Sequence, residues 1–232
     1  MRSFAGALLA LALCCAGVRP ANAGETWLSV YIGIARTQRS DIHISQPRTA
    51  TDVTIRGVRW DDRSFQPSIY YGIRLSYVFS RSSNLAVNLD FTHYKIYAET
   101  ERYVKVDGIW RGKHVEEEAP LDRYVQDFDI THGLNMIALD VVCCGRAYAG
   151  GGLAYYVAHG ENRIGGEANR ERYAGTGFGY QLLGGYRDAL SGDPLFAEVK
   201  YNSGDAVIET ARQGRAETRV RTWHLLLGSA GQ

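Results

Sequence analysis

The sequence predicts an all-β fold: an antiparallel up-and-down transmembrane β-barrel of about eight strands. Three observations carry this. Short segments alternate between apolar and polar residues, which is the strand signal. Beyond the N-terminus no stretch is apolar enough for a membrane-spanning helix. Short and long connections between the alternating segments take turns, as periplasmic turns and extracellular loops do. Composition agrees, since 15 Tyr and 26 Gly against two Met and five Pro lean towards β structure.

Residues 1–23 read as an export signal. Arg2 supplies a positive start, Phe4 to Ala16 form a short apolar stretch, and Ala21-Asn22-Ala23 gives the small-x-small pattern of a cleavage site. Cleavage is expected after Ala23, leaving residues 24–232 as a single barrel domain in the bacterial outer membrane. It removes Arg2 and Arg19 and no acid, taking the formal charge from +1 to −1. The mature chain then keeps only Cys143 and Cys144. A disulfide between sequence neighbours closes a strained ring, so free thiols are expected.

The strands follow in order. In 27–35, Leu28, Val30, Ile32 and Ile34 share one face. In 69–79, Ile69, Tyr71, Ile73, Leu75, Tyr77 and Phe79 stand opposite Gly72, Arg74 and Ser76. In 85–92, Leu85, Val87, Leu89 and Phe91 oppose Ala86, Asn88, Asp90 and Thr92, and in 195–202 Leu195, Ala197, Val199 and Tyr201 oppose Phe196, Glu198, Lys200 and Asn202. Weaker alternation marks 134–142, 147–158, 177–187 and 218–228. The short connections are 80–84, 143–145 and 188–193. The long polar ones, 36–68, 98–131, 159–176 and 203–217, are expected to be loops. A soluble barrel would fill its interior with apolar side chains. Here the face carrying Arg74, Asp90, Glu198 and Lys200 suits a lumen of buried pairs, and the opposite face suits lipid.

Charge excludes one class of partner: 26 basic residues nearly balance 25 acidic ones, with no basic stripe for nucleic acid. Nucleotide, nucleophile-elbow and zinc-protease motifs are absent or lack their structural context. Histidine is more informative. His43 and His114 fall in expected loops, His93, His132 and His159 near strand ends, and His224 deeper in a strand. Parity turns His93 and Lys95 outwards with Leu89 and Phe91, and Asn135 outwards with Ile137 on the neighbouring strand. Cationic and hydrogen-bonding groups on the lipid face belong near the interface, where phosphates and sugars of lipid A would meet them. The run His114 to Glu118 with Asp122, Asp127 and Asp129 reads as a solvated charged loop, with a divalent cation as the alternative.

The block Phe91-Thr92-His93-Tyr94-Lys95-Ile96-Tyr97-Ala98 resembles the lipid A oxidases of rhizobial outer membranes. Trp60, Ser64-Phe65-Gln66-Pro67, Tyr70 to Arg74, and His132-Gly133-Leu134-Asn135 extend the resemblance. It implies an enzyme that oxidises the proximal glucosamine of 1-dephosphorylated lipid A to 2-aminogluconate, with molecular oxygen as co-substrate and peroxide as by-product. On that reading His93 is a general base, Lys95 holds phosphate or developing negative charge, and Asn135 joins them. Trp60, Arg74, Asp90 and Thr92 bind or support, Asp90 by pairing with Arg74 or Lys200. Whether a divalent metal takes part stays open, with His93 and His159 as the pair able to converge. The partners implied are lipid A and the outer membrane, with the protein a monomer. A non-catalytic barrel and a lipid A deacylase are the alternatives.

Overall fold

The computed structural model describes residues 24–67, 69–79, 84–143, 145–170, 174–188 and 194–231. The expected export signal lies outside these residues, as do most positions of the three short connections. Among the described residues fifteen strands form one antiparallel sheet: β1 (Glu25–Thr37), β2 (Ser40–Gln46), β3 (Thr51–Val58), β4 (Trp60–Asp61), β5 (Tyr71–Val78), β6 (Leu85–Ala98), β7 (Tyr103–Trp110), β8 (Lys113–Pro120), β9 (Val125–Cys143), β10 (Ala147–Ala158), β11 (Glu161–Ile164), β12 (Glu167–Arg170), β13 (Ala174–Arg187), β14 (Leu195–Thr210) and β15 (Gly214–Gly231). Eight of them, β1, β5, β6, β9, β10, β13, β14 and β15, close a ring through the pairing of β15 back to β1. These coincide with the eight segments read from the sequence. Closure leaves no edge in this part of the sheet, which hydrocarbon demands of any strand that crosses it.

In the lower ring the outward face is apolar and bare. Leu139, Leu153, Phe178 and Leu227 are 59–76% exposed, joined by Ile32, Ile73, Leu89 and Leu225. A soluble protein does not leave such a continuous belt in water. About nine residues per tilted strand give a band about 25 Å tall, the height of a bilayer core. The inward face carries Arg74, Asn88, Asp90, Asp140, Gln181, Glu198 and Lys200, all buried. Close packing against aromatic rings explains two inward glycines. A Cβ on Gly72 would lie 2.0 Å from the Tyr31 ring, and one on Gly204 would lie 2.1 Å from Tyr156.

Above the belt the structure departs from expectation. The segments 36–68, 98–131 and 159–176 are largely strand, holding β2, β3 and β4, then β7 and β8, then β11 and β12. The segment 203–217 is the continuation of β14 and β15, joined by a three-residue turn at Ala211–Gln213. His43 and His114 accordingly sit in β2 and β8. The alternation there has the opposite sign. Ile42, Ile44, Val53, Ile55, Val104 and Val106 point inwards, with Leu121, Val125, Phe128 and Ile130, to form an apolar core. Water outside rewards polar outward residues, so these strands look hydrophilic when apolar outward residues are the criterion. Cys143 is disulfide-bonded, which corrects the expectation of free thiols; Cys144 lies outside the described residues.

Candidate functional site

Strand β6 carries the site residues, and its pleat deals them to two sides of the wall. Asp90, Thr92 and Tyr94 point inwards; Phe91, His93 and Lys95 point outwards. The register across the neighbours, Tyr71↔His93↔Asn135, sets one residue from each of β5, β6 and β9 side by side on the outer face.

Inside, the charges form one network. The Arg74 guanidinium donates to both Glu198 oxygens, at 2.7 and 2.6 Å, and to Asp90 Oδ2 at 3.0 Å. Lys200 Nζ donates to Asp90 Oδ2 at 2.5 Å and to the Tyr31 hydroxyl at 2.7 Å. Tyr31 donates to Asp90 Oδ1 at 2.6 Å and lies 2.7 Å from Thr92 Oγ1. Gln181 bridges Asp140 and Asp90 through its amide nitrogen, at 2.7 and 3.2 Å. Two cations thus face two carboxylates within hydrogen-bond reach, which compensates their removal from water. Arg74, Asp90 and Thr92 therefore come together, as a lumen brace rather than beside His93. The anticipated partnership of Asp90 with Arg74 and Lys200 is present in both forms. Tyr31 and Gln181 were invisible as members, because only the register shows which inward residues meet.

Outside, His93 Nδ1 lies 2.8 Å from Asn135 Oδ1. An amide oxygen accepts only, so Nδ1 carries the proton and the Nε2 lone pair is left available. Nε2 is buried without a partner. The Tyr71 ring stacks on the imidazole at 4.9 Å and 26°. Tyr71 was read only as part of the apolar belt, since its contact with His93 depends on register. The structure thus joins His93 to Asn135 but takes Lys95 elsewhere. Lys95 Nζ donates to the backbone carbonyls of Gln66 (3.0 Å) and Pro67 (2.8 Å).

That contact belongs to a seam in the wall. β5 stops at Tyr71, so the upper parts of β1 and β6 have no ring strand between them. Strand β4 and the segment after it fill the gap. Trp60 pairs opposite Ala98, Asp62 accepts from Thr37 N–H (2.9 Å) and Thr37 Oγ1 (2.5 Å), and Ser64 Oγ accepts from Ala35 N–H (3.0 Å). Trp60 itself is buried within the upper core. Its indole N–H donates to Ser40 Oγ at 2.9 Å and its ring meets Phe128 at 6.0 Å. It supports the seam from within and does not reach His93's face of the wall.

Among the described residues no group of three or more His, Cys, Asp or Glu is placed to hold a metal. His93 and His159 join no such cluster, and neither do the acids of β8 and β9. Glu117 is instead paired with Arg123 at 3.0 Å and accepts from Tyr124. His224 lies in the lumen, 2.6 Å from Asn202.

A closed ring with a bare apolar belt, a charged lumen and a polar upper rim defines a membrane-spanning barrel of the outer-membrane type. No protein-family model matches the chain, and no curated protein matches it. Among solved structures it is similar to the outer membrane protein OprG from Pseudomonas aeruginosa, at 12% identity and a TM-score of 0.47, covering 92% of this chain and 99% of that one. It is also similar to Neisserial surface protein A, at 15% identity and TM-score 0.39 over 89% and 96% of the two chains. The outer membrane protease OmpT from Escherichia coli gives 8% identity and TM-score 0.43 over 92% and 98%. The class assignment rests on the ring, belt and lumen of this chain itself.

Proposed function

We propose that the outward face around His93 acts on the sugar headgroup of lipid A in the outer leaflet. The reaction is the oxygen-dependent conversion of the proximal glucosamine to 2-aminogluconate that the resemblance of the 91–98 block implies. The observation that supports it is the His93–Asn135 pair: a histidine at the top of a lipid-facing belt, oriented through Nδ1, with Nε2 unpartnered. An oriented ring with a spare lone pair has the form of a general base.

The step balances with dioxygen as oxidant. Nε2 takes the proton of the C1 hydroxyl as C1 loses its hydrogen, and two electrons and two protons reduce dioxygen to hydrogen peroxide. The resulting lactone is opened by water, so the lipid gains one oxygen atom overall. Lys95, two positions along the strand, is buried and held by the carbonyls of Gln66 and Pro67, which gives it the role of fastening the seam beside His93 rather than of contacting a phosphate. A deacylase would need a serine on His93, and the side chain bonded there is Asn135. The burial of Nε2 favours one competing reading, a non-catalytic barrel in which the His93–Tyr71–Asn135 row is interface packing.

Mass spectrometry of lipid A separates these. The protein is expressed in a host that also makes a lipid A 1-phosphatase, in air and without oxygen. The oxidase reading expects one added oxygen atom, in air only, with the product reduced about 100-fold or more in His93→Ala. Unmodified lipid A from a correctly inserted barrel would leave the non-catalytic reading standing.

A further inference from the structure

We propose that Arg36 and Arg221 grip the phosphate of an outer-leaflet glycolipid whose acyl chains lie on the belt below. The pattern begins in the arginines of the outward faces of β15 and β1. Up β15, Arg215 is paired with Glu217 at 2.9 Å and Arg219 with Asp205 at 2.8 Å. Arg221 stands one outward position lower, at the top of the apolar belt, and among the described residues it has no acidic partner. On β1, Arg36 follows Ile32 and Ile34 on the same outward face and is equally unpaired.

The two are diagonal neighbours. Arg36 is opposite Trp223, and Gln38 N–H donates to the Arg221 carbonyl at 2.8 Å. Diagonal positions across an antiparallel pair are within reach of long side chains. The acid nearest Arg36 in sequence and space, Asp62, is buried and its carboxylate is already taken by Thr37. Two neighbouring guanidiniums without ion pairs, at the level where a bilayer places its phosphates, suit a doubly charged oxygen cluster, which Arg binds bidentately.

What lies beneath suits acyl chains. Tyr201 and Trp223 meet at 4.8 Å, with Tyr180 6.2 Å from Tyr201, an aromatic shelf of the kind that marks a headgroup boundary. Below it Ile34, Leu225 and Leu227 are bare. The occupant is therefore an anionic lipid rather than free phosphate.

This grip deepens the oxidase reading, and one geometric relation connects them. Register places Ile32, Tyr71 and His93 in one row, so Arg36 is two strands and four residues from His93. Standard strand spacing and rise put their Cα atoms roughly 16 Å apart, which the two side chains shorten. A disaccharide headgroup held at the arginines by its distal phosphate would then present its proximal sugar towards β6. Arg36 and Arg221 are positioning residues in that arrangement.

Native mass spectrometry of the detergent-solubilised barrel tests the grip without any turnover. The probes are lipid A bearing only its distal phosphate, the same lipid fully dephosphorylated, and phosphatidylcholine. Wild type should retain the phosphorylated lipid about tenfold better than the dephosphorylated one, and Arg36→Gln/Arg221→Gln should lose that preference. Arg215→Gln, with its acid partner left behind, should keep it. Equal retention of both lipids by wild type, or undiminished preference in the double variant, overturns the proposal. Retention without oxidation would leave the grip standing and remove the oxidase. Oxidation with an unchanged KM in the double variant would do the reverse.

Discussion

Several strands run through both the lower and upper halves of this barrel, and their polarity reverses on the way. β14 shows both within sixteen residues. At its base Leu195, Ala197 and Val199 face out while Glu198, Lys200 and Asn202 face in; at its top Asp205 and Glu209 face out while Ala206 and Ile208 face in. The period never changes, only the solvent on the outer side. Lipid selects apolar outward residues and leaves the lumen to paired charges, whereas water selects the reverse and the interior becomes an ordinary core. The proposed site lies at the changeover, where His93 and the unpaired arginines meet neither pure hydrocarbon nor bulk water.

If the comparison holds, each half should break by its own mechanism. The largest effect is expected from Asp90→Ala, which leaves Glu198 as the one carboxylate among the described residues within 4 Å of both Lys200 and Arg74 in the lumen. Urea unfolding in lipid vesicles should show a loss of about 3–5 kcal/mol. A loss under about 1 kcal/mol would mean that water solvates the lumen. Phe128→Ala, in the apolar core of the upper half, should cost about 3–5 kcal/mol. Here the damage should appear as trypsin cuts in β7, β8 and β11, with the belt strands still protected. Simultaneous cleavage of both halves would show that they do not unfold separately.

A sharper contrast comes from placing one charge at two outward positions. Leu139→Arg, in the middle of the belt, should destabilise by about 2–4 kcal/mol, while Val207→Arg should change stability by no more than about 0.5 kcal/mol. Equal costs would erase the distinction between the halves.

The smallest effect concerns pH. Burial, reinforced by the hydrogen-bonded neighbour Asp127, pushes the Asp129 carboxyl up to about 8. Folding therefore retains a proton that the unfolded chain releases near pH 4. Stability of the upper half should fall as pH rises from about 4 to 8 and level off above, by linkage. Near-ultraviolet circular-dichroism melts should show a flatter profile in Asp127→Asn. A midpoint that climbs with pH across this range would contradict the assignment.

These differences also explain what could be read in advance. All eight ring strands were legible, four by strong alternation of apolar outward residues over a charged lumen and four by a weaker form of it, and Arg74, Asp90 and Lys200 could be paired by parity alone. The upper strands were not. Ile42 and Ile44, or Val53 and Ile55, alternate as cleanly, but within polar surroundings that resemble loops. The candidate site was half legible: parity put His93 and Asn135 outside together. Lys95's attachment to Gln66 and Pro67 depends on a strand that stops early at Tyr71, and nothing in local pattern signals that stop. Trp60, expected near the chemistry, belongs to the upper core for the same reason.

The comparison, and with it the depth at which His93 lies, is tested most directly by nitroxide labels at positions 199 and 207 of β14. Both would be introduced as single cysteines in a Cys143→Ser/Cys144→Ser background and the barrel reconstituted in bilayers. Collision with dissolved oxygen should dominate at 199 and collision with a water-soluble nickel complex at 207, with the crossover between 201 and 205. Water access at 199, or lipid-like access at 207, would contradict the account.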